Sequence, residues 1–166
     1  FISFFVYFYF IWYFLHFLVS YIIATYDKCA YTKYTLSCVI SCFIAGIIFI
    51  IYPTKIVRYG GDLTGLSGYL VSFIYSMDDA TCCLPSLHVL LATLFTIGSF
   101  NSKCPKYVKI TTLILSLLII LSTLFIKQHV LVDAISAVAI AIIVYFIVCK
   151  THIYEKVLKR VEKIIS

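Results

Sequence analysis

The stretch His129-Val130-Leu131-Val132-Asp133-Ala134-Ile135-Ser136 runs on without another charge to Cys149. At about 1.5 Å of rise per residue, an apolar helix of this length crosses the ~30 Å hydrocarbon core of a bilayer, here with one carboxylate near its start. Four further apolar runs lie upstream: residues 1 to about 22, about Leu36 to Tyr52, about Pro85 to Phe100, and about Val108 to Ile126. Hydrophobic residues make up 63% of the 166 and charged residues 12%, against roughly 25% charged in ordinary soluble domains. The mean hydropathy is +1.09. The sequence therefore predicts an all-α, polytopic membrane helix bundle of about five spans with short connections. One membrane-embedded domain is expected over residues 1–149, followed by a basic tail at 150–166 that continues as a surface-lying helix. Phe1 opens the sequence and Met77 is its single methionine, which leads us to expect an earlier helix ahead of residue 1.

The connection between the second and third runs, Pro53 to Cys83, is the long loop of the chain and carries Gly60, Gly61, Gly65, Gly68, Asp62, Asp78 and Asp79. Loops of this length in compact domains usually carry function. Within it Leu66, Leu70, Phe73 and Ile74 recur at helical spacing over too few residues to span, so a short helix is expected, lying in the membrane interface or packed over the bundle. Tyr26 to Lys33 reads as a polar link between the first two spans.

The formal net charge is +6, and its distribution decides what it means. With five alternating spans, Lys28, Lys33, Lys103, Lys106, Lys109, Lys150, Lys156, Lys159, Arg160 and Lys163 fall on one side, ten of the thirteen cations. The positive-inside rule makes that side cytoplasmic, so the charge reports orientation and not a nucleic-acid partner. Lys55, Arg58 and Lys127 fall on the opposite face, where the same rule disfavours them and a local task is expected. The seven cysteines form no C-x-x-C pair, which argues against a disulfide framework or a zinc site; Cys82 and Cys83 read as small apolar filler beside the candidate motifs.

Three segments carry chemistry. His129 is followed at i+4 by Asp133, a spacing that puts both on one face of a helix, where the carboxylate can take one imidazole proton and leave the other nitrogen nucleophilic. Pro85 and Ser86 open a helix whose amides and hydroxyl suit a phosphate oxygen, and His88 then sits where it can protonate a leaving alkoxide. Arg58 and Lys127 offer the charge a phosphoryl transition state needs. The outward acids form no magnesium-type cluster, so neither metal nor cofactor is expected. His16 has no acidic or ligand neighbour at helical spacing and reads as facing a neighbouring helix or the headgroups.

These segments, in this order, resemble the type 2 phosphatidic acid phosphatase superfamily, which includes lipid phosphatases, polyprenyl-pyrophosphate phosphatases, vanadium haloperoxidases and sphingolipid synthases. The resemblance covers about residues 45 to 145, with the motifs within 52–133. Arg58 matches the arginine of the first motif, Pro85, Ser86 and His88 the P-S-G-H motif, and Ser122, His129 and Asp133 the third. Ile51, Tyr59, Leu87 and Thr123 depart from it, and Lys55 and Lys127 are substitutes for the two absent cations. The family core has six spans, with its first motif after the third; here that motif follows the second. The resemblance implies hydrolysis of a lipid phosphate monoester or pyrophosphate through a phosphohistidine on His129, with Ser86, Ser122, Lys55, Lys127 and Arg58 around the phosphate. Its active site would lie on the non-cytoplasmic face. P-S-L-H also resembles the inositol phosphorylceramide synthase branch, so transfer to a lipid alcohol stays open, as does a non-catalytic protein that binds lipid phosphate.

Overall fold

The computed structural model describes residues 1–165. After a 3-10 turn at Ser3–Phe5, helices run α1 Val6–Tyr26, α2 Lys28–Ile51, α3 Gly65–Met77, α4 Leu87–Phe100, α5 Lys106–Phe125, α6 Leu131–Thr151 and α7 Ile153–Ile165. The described residues hold no strand, only an isolated bridge between Lys55 and Thr81. Four helices, those containing α1, α2, α5 and α6, are long and apolar enough to cross a membrane. On α1 the buried positions Val6, Tyr9, Leu15, Val19 and Ile23 form a stripe. The other side carries Phe14 at 78% and Phe17 at 73% exposure, surface that only an apolar solvent covers without penalty.

The polar link expected at 26–33 is absent. The Asp27 carboxylate accepts the Ala30 N–H at 3.0 Å and caps α2 at once, so this segment forms the first turns of a helix. The third apolar run also starts later than expected. Ser86 is the N-cap of α4, which puts Pro85 ahead of the helix and not in its first turn. With 14 residues α4 spans about 21 Å, short of a bilayer core. It packs against α1, α2, α5 and α6, and Val89, Leu90, Ala92, Leu94 and Phe95 are fully buried. Protein, not solvent, thus surrounds the central helix. His16 meets it as expected, with its ring 6.0 Å from Phe95.

The helix in the long loop forms, with a different buried face from the one its apolar spacing implies. Gly68, Val71 and Ile74 are buried, Val71 and Ile74 packing with Val6 and Tyr9 of α1, while Leu66 and Phe73 point outward. The N-terminus, the long loop and the α5–α6 turn meet at one end of the bundle. There Ile2 N–H donates to the Phe125 carbonyl at 3.0 Å, Ser3 and Ser67 hydroxyls lie 2.9 Å apart, and Phe1 stacks on Tyr59. At the other end α7 closes on α2 and α6 around Tyr154, Val144 and Val148.

Gly98 marks the closest approach of α4 to its neighbours: a Cβ there would stand 3.1 Å from Tyr34 and 3.2 Å from Ile23. Gly98→Val is expected to cost about 1–3 kcal/mol of stability in detergent denaturation. Gly46→Ala, with nothing within 4 Å of the added carbon, should hold stability or raise it by up to about 1 kcal/mol.

Candidate active site

Three chain segments converge at the end of the bundle that holds the N-terminus. The Thr54 hydroxyl oxygen accepts the N–H groups of Cys83 and Leu84 at 3.0 and 2.9 Å, and Ile56 N–H donates to the Ala80 carbonyl at 3.1 Å. These bonds lay residues 54–56 alongside 80–84 and carry Arg58 onto α3. The Arg58 guanidinium donates through Nη1 to the Tyr75 carbonyl at 2.8 Å and lies over the Tyr75 ring. The Tyr75 hydroxyl in turn donates to the Ile126 carbonyl at 2.5 Å, tying α3 to the α5–α6 turn. Burial pushes the Tyr75 hydroxyl pKa up, which keeps it a donor. Arg58 Nε is buried with no hydrogen-bond partner, and the side chain rests on Tyr75 without lining the cavity beside the histidines.

At the start of α6 the geometry differs from the simple i+4 helical pair. His129 lies before Val130, the N-cap, and Asp133 is the third helical residue. The Asp133 carboxylate reaches back over the helix start, accepting the Val130 N–H at 3.0 Å and lying 3.3 Å from His129 Nδ1. An ionised carboxylate only accepts, so the Nδ1 proton belongs between them and Nε2 keeps its lone pair. The Asp133 carbonyl accepts the Ser86 N–H at 3.2 Å, which fixes the start of α4 against the start of α6.

His88, in the first turn of α4, has its ring 6.2 Å from that of His129. This is too far for a direct hydrogen bond and close enough for both rings to flank one small group. Tyr9 and Trp12 of α1 pack on His88 at 4.4 and 4.3 Å, and its Nε2 is buried without a partner. Between the histidines and the loop lies a cavity of about 200 Å³, lined by both rings together with Asp78, Asp79, Cys82, Cys83 and Gln128. Burial raises the Cys83 thiol pKa, with Asp133 and Asp78 adding to the rise and Arg58 opposing it; the thiol stays protonated, as filler would.

The other sequence-identified residues take different positions. The Ser86 amide is bonded to Asp133, and its hydroxyl oxygen accepts the Val89 N–H at 3.4 Å, so both groups expected at the phosphate hold the helix start. Ser122 is buried in α5 and donates to the Ile119 carbonyl at 2.7 Å, away from the cavity wall. Lys55 and Lys127 are exposed at the margin, Lys55 paired with Thr81 and Lys127 next to Gln128. Gln128 itself was not singled out by sequence. It is 97% buried by its 3% exposure, donates Nε2–H to Asp78 at 2.8 Å, and leaves Oε1 buried without a partner. A neutral residue between a cation and a histidine carries no motif signal; only the fold aims it inward.

No protein-family model, curated protein or solved structure matches the chain.

Two non-glycine residues at the cavity rim, Cys82 and Lys127, have φ of 55° and 56°, in the left-handed region. Such conformations carry strain and concentrate at functional sites. Lys127→Gly is expected to melt at or above the temperature of the unaltered protein. Lys127→Val, with a β-branched side chain at the same φ, should fall about 1–2 kcal/mol below it. Equal melting of the two variants would remove the strain argument.

Proposed function

We propose that this chain is a multi-pass membrane phosphohydrolase akin to the type 2 phosphatidic acid phosphatases, acting on a lipid phosphate monoester or pyrophosphate through a phosphohistidine on His129. The observation that carries the reading is the pairing of His129 with a buried carboxylate on one nitrogen while a second, unpartnered histidine faces it across a small cavity. In the first step the His129 Nε2 lone pair forms a bond to phosphorus as the ester or anhydride P–O bond breaks. The negative charge of the bound phosphate draws a proton onto the buried His88 ring, which gives that proton to the departing oxygen. In the second step His88 takes a proton from water, whose oxygen attacks phosphorus and breaks the P–N bond, returning His129 and releasing inorganic phosphate. Asp133 holds the His129 ring in one tautomer and stabilises the positive charge it gains.

Arg58, close enough to act on the Cys83 thiol of the cavity wall, adds positive field at the phosphoryl oxygens together with Lys55 and Lys127 at the margin. With charge from side chains, the activity is expected to survive a chelator. Asp78 and Asp79 repel phosphate from the part of the cavity they line, so in this account that part receives the alcohol portion and not the phosphoryl group.

Purified protein in detergent, supplied with a panel of lipid phosphates and pyrophosphates, tests the reading by release of free phosphate. His129→Ala is expected at background, His88→Ala about 10²–10⁴-fold slower, and Asp133→Asn strongly reduced with the fold intact. Undiminished release by His129→Ala would reject the mechanism. Phosphate appearing only in an added acceptor lipid would assign transfer in place of hydrolysis.

The same reading places the histidines on the non-cytoplasmic face. In a background free of cysteine, a cysteine at Asp62 is expected to react with an impermeant reagent outside the cell, and one at Lys103 only after lysis. The reverse pattern would put the site in the cytoplasm.

A further inference from the structure

At the opposite end of the bundle a second cavity, about 690 Å³, opens between α2 and α7. Its apolar wall is Leu36, Val39, Val157, Leu158 and Val161, and Lys28 and Thr32 stand toward the α2 N-terminus. Helix α7 is strongly two-faced. Tyr154, Val157, Leu158 and Val161 recur at i, i+3, i+4 and i+7, and Lys156, Lys159, Arg160 and Lys163 repeat that spacing on the opposite side. Only the beginning of the apolar face is seated on protein: Tyr154 is buried, with Lys33 Nζ 4.4 Å above its ring, whereas Val157 and Val161 are 37% and 44% exposed into the groove.

Two features say what fills it. The first is charge: ten of the chain's thirteen Lys and Arg residues belong to this end, against Asp27, Glu155 and Glu162. The second is continuity. Below Val39 the outer face of α2 continues through Phe43, Ile47 and Ile50, all exposed, so an apolar chain entering at Val39 can run on down the helix. An extended peptide laid on that face would bring unpaired backbone polar groups into apolar surroundings, whereas an acyl chain brings none. The Thr35 hydroxyl, about two turns from Lys28 along α2, is buried in the groove wall with no hydrogen-bond partner, a donor for an ester oxygen.

We infer that the α2–α7 groove binds one anionic phospholipid from the leaflet at the basic end, its phosphate at Lys28, its ester region beside Thr35 and an acyl chain along Leu36, Val39 and Val157. The cations on the outer face of α7 hold that helix at the same anionic surface. The inference rests on the apolar helices crossing a bilayer and is independent of the chemistry at His129.

The test uses the full chain in a neutral detergent, titrated separately with phosphatidylglycerol and phosphatidylcholine of matched acyl chains. Retention of lipid is read by native mass spectrometry and thermal stability by melting. One phosphatidylglycerol per chain is expected to be retained and to raise the melting temperature, with phosphatidylcholine doing neither. Lys28→Glu should weaken retention by about tenfold or more, and added salt should weaken it in the unaltered protein. Val39→Trp, which fills the groove and leaves Lys28 in place, should also abolish retention. Equal retention of the two lipids, or no loss in Lys28→Glu, would overturn the anionic site. So would retention in a correctly melting Val39→Trp variant, or occupation of the groove by a second copy of the chain, seen as a dimer that excludes the lipid.

Discussion

Asp133 is the point on which the candidate site hangs. Its carboxylate takes the Val130 N–H and pairs with His129, and its backbone carbonyl takes the Ser86 N–H. One residue, 4% exposed, thereby fixes the start of α6, the orientation of His129 and the position of the helix that carries His88. A buried carboxylate is costly unless its oxygens are satisfied, and here a backbone amide and an imidazole do so. Removing the charge alone therefore loosens the histidine, while removing the side chain also uncaps the helix.

The surroundings of the two histidines differ in a way that suits different roles. His129 is beside an acid at the mouth of the cavity, a setting that holds its ring in one orientation. His88 lies between Tyr9 and Trp12, so α1 supplies the wall that keeps its ring in place. That wall is made of ordinary aromatic helix residues with no motif of their own. The acids at the cavity, Asp78 and Asp79, and the buried acceptor Gln128 Oε1 form the part of the site least like a phosphate pocket. Their chemistry is that of a seat for hydrogen-bond donors, at the loop end of the cavity away from His129 Nδ1 and Asp133.

Much of the architecture was legible because lipid-facing helices need uninterrupted apolar runs, and α1, α5 and α6 follow them within a few residues. The errors came where one polar side chain outweighed composition. Asp27 starts α2 inside a stretch that reads as a polar link, and Ser86 delays α4 past Pro85. The shortness of α4 is intelligible only once it is seen to be enclosed by four helices. At the site, the spacing of His129 and Asp133 led to a true neighbour pair for a different reason, since His129 stands outside the helix. His88, picked out by motif, lines the cavity, and Arg58, picked out by charge, rests on Tyr75 outside that lining, whereas Gln128 and the aromatic wall depend on distant segments meeting. Ser122 is the converse case, matched by motif and turned back onto its own helix.

The central claim is that His129 forms a covalent bond to phosphorus. The most direct measurement is to mix the His88→Ala variant with a ³²P-labelled substrate carrying a good leaving group, quench it in alkali, and locate the label by proteolysis and mass spectrometry. Without His88 to activate water, the account predicts an alkali-stable, acid-labile phosphoryl group on the peptide containing His129, absent when His129→Ala is combined with it. Label on any other residue, or phosphate release from the double variant at the rate of the unaltered protein, would contradict it.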